Sequence, residues 1–490
     1  MKKYALFVIY GLMFLLFLFK MFYYREEINY VPDEEAHISY LAYLEENPGT
    51  MIPEFENMRL CEGGTAVGGG IYRYEIHDRT CYLGHPPLYY KIMHLAGGVI
   101  VDETDEGYEV YVNQDRLKAA NIYLTGLVMI LILYIGYTRL GRYTQSFIVH
   151  GIYAVTATSV PMLAFCGSGI TNDNLSNLGV AVFLLGLMRY YERRKGYLTY
   201  FLVAAGFFLS AMSKLTVGEF LAVILFVVLI ADIIQNRNLG LLCNRYFLAT
   251  LPVYMMVGAY FLIIFVRYGS IQPGLAVVAP AEQSFVPEAE RAEMNFWSYI
   301  PYFFSRFRYT WTGIYNGRFF DYKLIDAWKG QGFLWLFCAP FLYTAAAGIM
   351  TAAKRRQGVS KLKKGSRYSV LYMAAAAGLA VTVITQLIRG YGDFLSRGYM
   401  GGYQARYYLC DIPFMSLAMA ESVHRILTWS REKALLWKKE DLPENKILQK
   451  IGGLNGWAIG RLAFCAIGIL FIFWCLYGDF LYFLSAHRLY

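Results

Sequence analysis

An acidic stretch directly after the first hydrophobic segment contains the residues best suited to chemistry. Residues 31–41 read VPDEEAHISYL, so that Pro32 precedes three acids and Asp33 stands four positions before His37. Proline is tolerated in the first turn of a helix and carboxylates suit its positive end, which predicts a helix from Pro32 with Asp33 and His37 on one face. Its apolar side chains, Ile38, Leu41 and Leu44, would then lie on a membrane surface. A carboxylate at such a surface indicates a functional site, and an acidic helix cap with a solvated loop is the alternative.

Three further clusters place polar or aromatic side chains next to predicted helix ends. Residues 84–90 read GHPPLYY. Their prolines fix the start of a helix and direct His85 and Tyr89 into a cleft between the external loops. Residues 171–174 read TNDN and contain Asn172 and Asp173. The last cluster pairs Lys214, in a turn between two apolar segments, with Arg406, Tyr407 and Tyr408 at the start of another.

The composition shows which solvent surrounds most of the chain. Of its 490 residues, 57% are hydrophobic and only 17% are charged. Several apolar runs reach the length of about 18 residues that crosses a bilayer. These values exclude a soluble domain and predict an all-α polytopic membrane protein. The net charge of +9 therefore indicates orientation rather than a nucleic-acid partner.

Apolar run lengths predict eleven membrane spans, and the charges between them predict their orientation. The spans are residues 4–24, 117–139, 146–166, 171–191, 197–212, 215–234, 246–267, 331–352, 368–389, 405–427 and 459–484. The basic loops after the even-numbered spans all fall on one side, which makes that side and the N-terminus cytoplasmic and the C-terminus external. This alternation holds only if residues 85–101 do not cross, so we expect an interfacial helix there on the external surface.

This topology divides the chain into three parts. Residues 1–267 form a membrane module with an acidic external loop at 25–116, residues 268–330 form a second external segment, and residues 331–490 contain the C-terminal spans. The second segment contains an aromatic, basic helix that we expect to lie in the interface rather than to stack on sugars. Two cysteines of the first external loop, Cys61 and Cys81, are either disulfide-bonded or free thiols.

The order of these motifs resembles the GT-C superfamily of integral membrane glycosyltransferases, which use sugars carried on polyprenyl phosphate. The pattern is most similar to protein O-mannosyltransferases and to the aminoarabinose transferases of lipid A. The matching motifs are Pro-Asp-Glu at 32–34, His-Pro-Pro-Leu-Tyr-Tyr at 85–90, Asn-Asp at 172–173, Ser-Lys at 213–214 and Arg-Tyr at 406–407. The likeness covers slightly more than the N-terminal half of the chain and the span at Arg406, and it implies a GT-C-like bundle of about eleven helices.

The resemblance also implies roles for these residues. Asp33 would be the general base for an acceptor hydroxyl, because a desolvated carboxylate has a raised pKa, with Glu34 and His37 orienting it or contacting the acceptor. Lys214 and Arg406 would hold the lipid phosphate as its charge develops. The remaining predicted binding residues are His85, Tyr89, Asn172, Asp173, Tyr407 and Tyr408, the tyrosines lining the sugar or prenyl channel. Displacement with one base predicts inversion at the anomeric carbon.

Structural roles are the alternatives for several of these residues. Lys214 could be a lysine that extends its amine to the interface, Arg406 a boundary cation, and Asn172-Asp173 a helix cap. His37 and His85 with Asp33 or Glu34 could hold a divalent metal, as in some GT-C enzymes, although no spacing is diagnostic and no cofactor is expected. Where aminoarabinose transferases carry an acid and a lysine before the proline pair, this chain has Gly84-His85, which leaves sugar and acceptor open.

The leading hypothesis is therefore an inverting glycosyltransferase in the cell membrane, with its active site on the external face. Its partners would be a polyprenyl-phosphate-linked sugar, an envelope glycan, lipid or protein acceptor, and the bilayer. One rival is a transporter or flippase for a lipid-linked sugar, in which the same cations bind phosphate and no bond is made. The other is an oligosaccharide ligase or polymerase with a diphosphate carrier, which demands more cations.

Overall fold

A computed structural model gives the structure of the chain and describes most of it. The described residues are 2–27, 31–104, 107–142, 144–236, 244–282, 286, 290–291, 293–312, 338–347, 368–398, 400–437 and 456–486. Among them, six helices are long and apolar enough to cross a membrane, and one bent helix pair makes a possible seventh. The chain is thus a mostly helical, multi-pass membrane protein.

The first part of the chain contains one membrane helix and a mixed α/β subdomain. Its elements are α1 (Lys2–Glu27), α2 (Glu34–Glu46), β1 (Arg59–Gly68), β2 (Ile71–Thr80), α3 (Leu88–Ala96), β3 (Val99–Thr104) and β4 (Gly107–Asn113). The strands form one antiparallel sheet in the order β1-β2-β4-β3. The β1–β2 turn needs glycine, because Gly68, Gly69 and Gly70 have φ of 117°, 61° and 75°, and a Cβ on Gly70 would lie 2.1 Å from an Asp115 oxygen.

The sheet corrects the all-α prediction for the first external loop. Residues 85–101 do not form one interfacial helix, since α3 ends at Ala96 and Gly97 and Gly98 have positive φ before β3 begins. The predicted membrane-facing residues of α2 are also placed differently. Ile38, Leu41 and Leu44 are 0%, 0% and 3% exposed in a hydrophobic core that includes residues of the sheet and α3.

The middle of the chain supplies most of the membrane bundle. Its helices are α4 (Gln114–Leu140), α5 (Phe147–Thr158), α6 (Pro161–Ser168), α7 (Asp173–Tyr191), α8 (Tyr197–Ala211), α9 (Leu215–Asn236) and α10 (Arg245–Tyr268). The predicted span at 146–166 is bent by 47° between α5 and α6. Pro161 begins α6, and because proline has no backbone N–H, it cannot donate a hydrogen bond to the preceding helical turn. The predicted spans at 171–191 and 197–212 are helices, but α7 and α8 are not among the six spanning candidates.

The C-terminal part adds helices on both sides of segments that lie outside the described residues. These helices are α11 (Leu275–Val278), α12 (Phe296–Thr312), α13 (Cys338–Ala347), α14 (Ser369–Arg397), α15 (Ile412–Trp437) and α16 (Gly456–Ala486). The span predicted at 405–427 begins instead as a 3₁₀ helix, Ala405–Asp411, and α15 continues to Trp437. Most of the span predicted at 331–352 lies outside the described residues, and the count of eleven spans is not confirmed.

The aromatic helix expected in the membrane interface is α12, and it is partly packed into the protein. Tyr299 and Phe303 are buried against Phe394 of α14, whereas Trp297 is 79% exposed. One face of α12 therefore belongs to a small core of its own.

Candidate functional site

The loop before α2 sets the direction of the Asp33 side chain. Asp33 precedes the helix instead of lying in its first turn, and its φ of 65° is left-handed. A non-glycine residue in that region carries strain of about 1–3 kcal/mol, which surrounding contacts must hold. The Glu34 amide donates to the Val31 carbonyl at 3.1 Å, and the His37 amide donates to the Asp33 carbonyl at 2.9 Å. The Asp33 carboxylate does not cap the helix and is free to contact other elements.

The Asp33 carboxylate is held by two donors from distant parts of the chain. Arg406, in the 3₁₀ helix before α15, donates to one carboxylate oxygen and also to the Pro32 carbonyl at 3.1 Å. The Tyr82 hydroxyl donates to the other oxygen at 2.8 Å. Burial alone raises the pKa of this carboxyl, but the charge and hydrogen bond of Arg406 outweigh burial and hold the pKa well below its usual range. The raised pKa of Asp33 expected from the sequence is therefore wrong for a carboxylate paired with Arg406.

Two histidines lie beside this carboxylate, and both are neutral. His37 is 1% exposed, and burial lowers its pKa from 6.5 to about 3. Its Nδ1 lies 2.8 Å from the Tyr90 hydroxyl, and its ring is nearly parallel to that of His85 with centroids 6.3 Å apart. Burial also lowers the pKa of His85 well below its usual value. Because Gln272 can only donate through its amide nitrogen, the 3.1 Å contact makes His85 Nδ1 an acceptor and places the proton on Nε2.

A second ion pair joins the starts of two membrane helices. Lys214 directly precedes α9, and its amine lies 2.5 Å from a carboxylate oxygen of Asp173, the first residue of α7. Both side chains are nearly fully buried, at 3% and 1% exposure. The Lys214 amine lies 4.7 Å from the ring centre of Tyr407, and the Arg406 guanidinium lies 5.3 Å from the same ring. Tyr407 thus lies next to both cations.

One cavity of about 380 Å3 joins these groups, and we call it the Asp33 cavity. Of the predicted site residues, its lining includes Asp33, His37, His85, Asn172, Lys214, Arg406 and Tyr407. The Asn172 side chain does not cap α7 and instead donates to the Ser213 carbonyl at 2.8 Å. The sequence alternative of an Asn172 cap is therefore wrong, and Asn172 ties the two helix starts together.

Four predicted residues are not among those that line this cavity: Glu34, Tyr89, Asp173 and Tyr408. Glu34 is 2% exposed and accepts from the Ile170 amide at 3.0 Å, with the Lys118 amine at 3.9 Å on the other side. Tyr89 and Tyr408 are fully buried, and their hydroxyls donate to the Asn121 side chain and the Gly402 carbonyl. The catalytic role expected for Glu34 and the channel-lining role expected for these two tyrosines do not fit these positions. Glu34 holds the loop of Asp33 in place.

Several cavity residues were missed by the sequence reasoning. Besides Lys214 and Arg406, the cavity is lined by three arginines, Arg79 of β2 and Arg389 and Arg397 of α14, and by Tyr82, Gln272, Glu282, Gln386 and Asp393. A signal for two of them existed. Arg389 and Arg397 lie at the end of the predicted ninth span that the topology places outside, where the positive-inside rule does not expect a cluster of arginines.

The segment after α10 covers the cavity closely. A Cβ on Gly84 would lie 1.7 Å from the Pro273 carbonyl oxygen, so this position requires glycine for the segment to approach. Gln272 in the same segment contacts His85 and accepts from Arg389 at 3.2 Å. Gly84-His85, which stands where aminoarabinose transferases carry an acid and a lysine, is therefore the point at which this covering segment contacts the cavity.

Two further expectations from the sequence concern a metal site and a disulfide between Cys61 and Cys81. Among the described residues, no group of three or more His, Cys, Asp or Glu side chains is placed to hold a metal ion. Cys61 and Cys81 are both buried and both unbonded, and burial raises the pKa of each thiol to about 12. The disulfide alternative does not fit this arrangement.

Comparisons with known proteins return structures only. No protein-family model and no curated protein matches the sequence. The chain is similar to ArnT from Cupriavidus metallidurans bound to undecaprenyl phosphate, at 13% identity over 98% of this chain and 76% of that one, with a TM-score of 0.46. It is also similar to the archaeal oligosaccharyltransferase AglB from Archaeoglobus fulgidus in complex with an inhibitory peptide and a dolichol-phosphate, at 13% identity over 99% and 56% of the two chains, with a TM-score of 0.43. Likenesses this distant decide neither fold nor activity.

Proposed function

We propose that the protein is a glycosyltransferase that moves a sugar from a polyprenyl-phosphate carrier to a hydroxyl of a cell-envelope acceptor, with inversion at the anomeric carbon. One observation supports this above all: a carboxylate and two cations from three separate parts of the fold border one cavity. Asp33 comes from the loop before α2, Lys214 from the start of α9 and Arg406 from the segment before α15, with Asp173 of α7 as the partner of Lys214.

The two cations suit a phosphate leaving group. Arg406 is 5% exposed, and its Nε is buried without a hydrogen-bond partner among the described residues. A buried guanidinium donor without an acceptor costs about 1–3 kcal/mol, and a phosphate oxygen would satisfy it. The Lys214 amine lies next to the same Tyr407 ring as Arg406 and would share the charge. In the transition state the carrier phosphate changes from a singly to a doubly charged group, so fixed cations favour its departure.

The proton of the acceptor is taken up by Asp33 in this proposal. The acceptor oxygen bonds to the anomeric carbon, its proton passes to the Asp33 carboxylate, and the bond from that carbon to the phosphate oxygen breaks. While Arg406 is paired with Asp33, Asp33 is a weak base, because Arg406 favours the charged carboxylate. A phosphate that competes for Arg406 would weaken this pair and raise the pKa of Asp33. Donor binding would therefore activate the base.

A diphosphate carrier with a larger glycan is the second candidate, and one observation favours it. The cavity lining contains Arg79, Arg389 and Arg397 in addition to Lys214 and Arg406. Arg397 pairs with Asp393 at 3.7 Å, whereas Arg389 is exposed and contacts Gln272. These arginines supply the additional cations that a second phosphate demands. Transfer assays with mono- and diphosphate carriers, compared in Arg389→Gln, separate the two donors.

The deciding experiment replaces Asp33 by asparagine. Membranes with the wild type or with Asp33→Asn are supplied with polyprenyl-phosphate sugars prepared from the host envelope, and transfer is followed by mass spectrometry of lipid and product. We expect Asp33→Asn to lower the transfer rate by about 10²–10⁴-fold, the range of general-base catalysis, while polyprenyl phosphate still co-purifies. Asp78→Asn is the matched control, because its side chain is 99% exposed on β2.

The rival transporter makes the opposite prediction. A flippase forms no bond, so Asp33→Asn would still move labelled lipid across vesicles at the wild-type rate and no glycosylated product would form with either protein. Wild-type transfer by Asp33→Asn would remove Asp33 from the mechanism. Asp33→Glu distinguishes misfolding from lost chemistry, because it restores a carboxylate.

A further inference from the structure

A second charged cavity lies at the opposite end of the membrane bundle. In helix α4, one of the six spanning candidates, Asn121 accepts a hydrogen bond from Tyr89 near the Asp33 cavity, and Arg139 lies in the last turn. Helix α7, which packs against α4, begins at Asp173 and contains Arg189 in its last turn. At a rise of about 1.5 Å per residue, these distances along the helices are about 27 and 24 Å, close to the thickness of about 30 Å of a bilayer core. The two ends therefore lie near opposite membrane surfaces.

Glu192 organises the charges at this second end. Its side chain is 1% exposed and lies 2.9 Å from Arg139, 2.8 Å from Arg142 and 3.7 Å from Arg194. It also accepts from the Tyr368 hydroxyl at 2.9 Å. One buried carboxylate thus holds three guanidiniums in fixed positions and leaves a positive excess. This arrangement is a preformed cluster rather than a set of independent surface charges.

Beside this cluster lies a cavity of about 600 Å3, which we call the Glu192 cavity. Its cations are Arg139, Arg142 and Arg194 together with Lys3 of α1 and Arg189 of α7. Leu185, Leu198 and Leu202 form part of an apolar wall. The combination of surplus cations and an apolar wall at a membrane surface matches an amphiphile with an anionic head and a hydrocarbon tail.

We propose that the Glu192 cavity binds the phosphate head group of an anionic glycerophospholipid from the leaflet opposite the Asp33 cavity. The phosphate would accept hydrogen bonds from the guanidiniums that Glu192 holds, and Lys3 and Arg189 would add charge. An acyl chain would lie along the leucine wall. This site does not depend on the proposed transferase activity, because it shares no residue with the Asp33 cavity.

The test measures lipid retention by the full-length protein. The protein is extracted from nanodiscs of phosphatidylglycerol and phosphatidylcholine in equal amounts, and bound lipid is counted by native mass spectrometry. The double variant Lys3→Gln/Arg189→Gln removes two cavity charges and leaves the Glu192 cluster intact. Each cation near a membrane surface contributes about a five-fold preference for anionic lipid, so retained phosphatidylglycerol should fall by at least about five-fold.

A matched double variant distinguishes a site from a generally basic surface. Arg193→Gln/Lys195→Gln also removes two positive charges, from the loop after α7, and neither residue lines the cavity. We expect it to retain phosphatidylglycerol like the wild type. Equal losses in both double variants, or no preference for phosphatidylglycerol over phosphatidylcholine in the wild type, would overturn the proposal. A Glu192→Gln variant that retained the preference in full would contradict the organising role of Glu192.

Discussion

The two ion pairs of the Asp33 cavity use the same kinds of group in different surroundings. The Asp173–Lys214 pair joins the starts of α7 and α9, and its side chains are 1% and 3% exposed. The Asp33–Arg406 pair joins the loop before α2 to the 3₁₀ helix before α15, and its side chains are 29% and 6% exposed. Asp33 also has a left-handed backbone and a second donor in Tyr82, whereas Asp173 has a helical start and a local contact with Thr171.

This difference indicates how the roles are divided. A fully buried pair between rigid helix ends fixes the position of Lys214 and has little room to exchange partners. In the partly open pair at a strained loop, Arg406 would exchange the Asp33 carboxylate for a substrate phosphate under the proposed mechanism, which would free the carboxylate. In the proposed mechanism, burial and backbone strain, rather than residue type, thus separate the structural carboxylate of Asp173 from the reactive one of Asp33.

The largest effect is expected from breaking the buried pair. Lys214→Met leaves the Asp173 carboxylate buried without its cation, which should cost about 3–5 kcal/mol of unfolding free energy. The double variant Lys214→Met/Asp173→Asn removes both charges and should recover most of that loss. Thermal or denaturant unfolding in detergent measures both. Because Lys214 is also proposed to bind phosphate, the recovered double variant should still transfer poorly; wild-type transfer by it would show that Lys214 is structural only.

A smaller effect is expected from the neutral His37 beside the open pair. Its pKa is about 3 in the folded protein against 6.5 in the unfolded chain. The unfolded state therefore binds the extra proton between these values, so stability is greatest above pH 6.5 and falls as the pH drops toward 3. At pH 5 this group alone should cost about 2 kcal/mol relative to pH 8.

His37→Gln tests that contribution. We expect the stability of this variant to depend less on pH between 8 and 5 than that of the wild type, with the remainder coming from groups such as His85. The measurement is the unfolding midpoint in detergent as a function of pH. If the unfolding midpoint of His37→Gln fell with pH as steeply as that of the wild type, the proposal that a neutral, buried His37 imidazole causes this pH dependence would be contradicted.

The smallest effect is expected from the second donor to Asp33. Tyr82→Phe removes one hydrogen bond to a charged acceptor on a side chain that is 39% exposed, which should change the transfer rate by less than about ten-fold. The acid limb of the pH–rate profile should move to higher pH, because the loss of this donor raises the pKa of Asp33. A shift to lower pH would contradict the assignment of Tyr82 as a donor to the carboxylate.

Part of this site could be predicted from the sequence because its signals are local. Asp33, Lys214 and Arg406 are charged residues next to long apolar runs, where an ionised group is costly without a role. The sheet was missed although β2 alternates Tyr72, Tyr74 and Ile76 with charged or polar residues, which is a strand pattern. In a chain this hydrophobic, apolar run length is the strongest signal, and period-two alternation over ten residues is a weaker one.

The sequence by itself determined the membrane class, the approximate helix positions and three of the charged groups, because hydrophobic length and charge are properties of short segments. Only the tertiary structure decided which carboxylate faces the cavity. Asp33 and Glu34 are neighbours with the same chemistry, yet the left-handed turn at Asp33 directs one toward Arg406 and the other into the core beside Lys118. Tertiary structure also brought Arg389 and Tyr82 to the site, because their contacts join residues 117 and 49 positions apart and depend on how the chain packs.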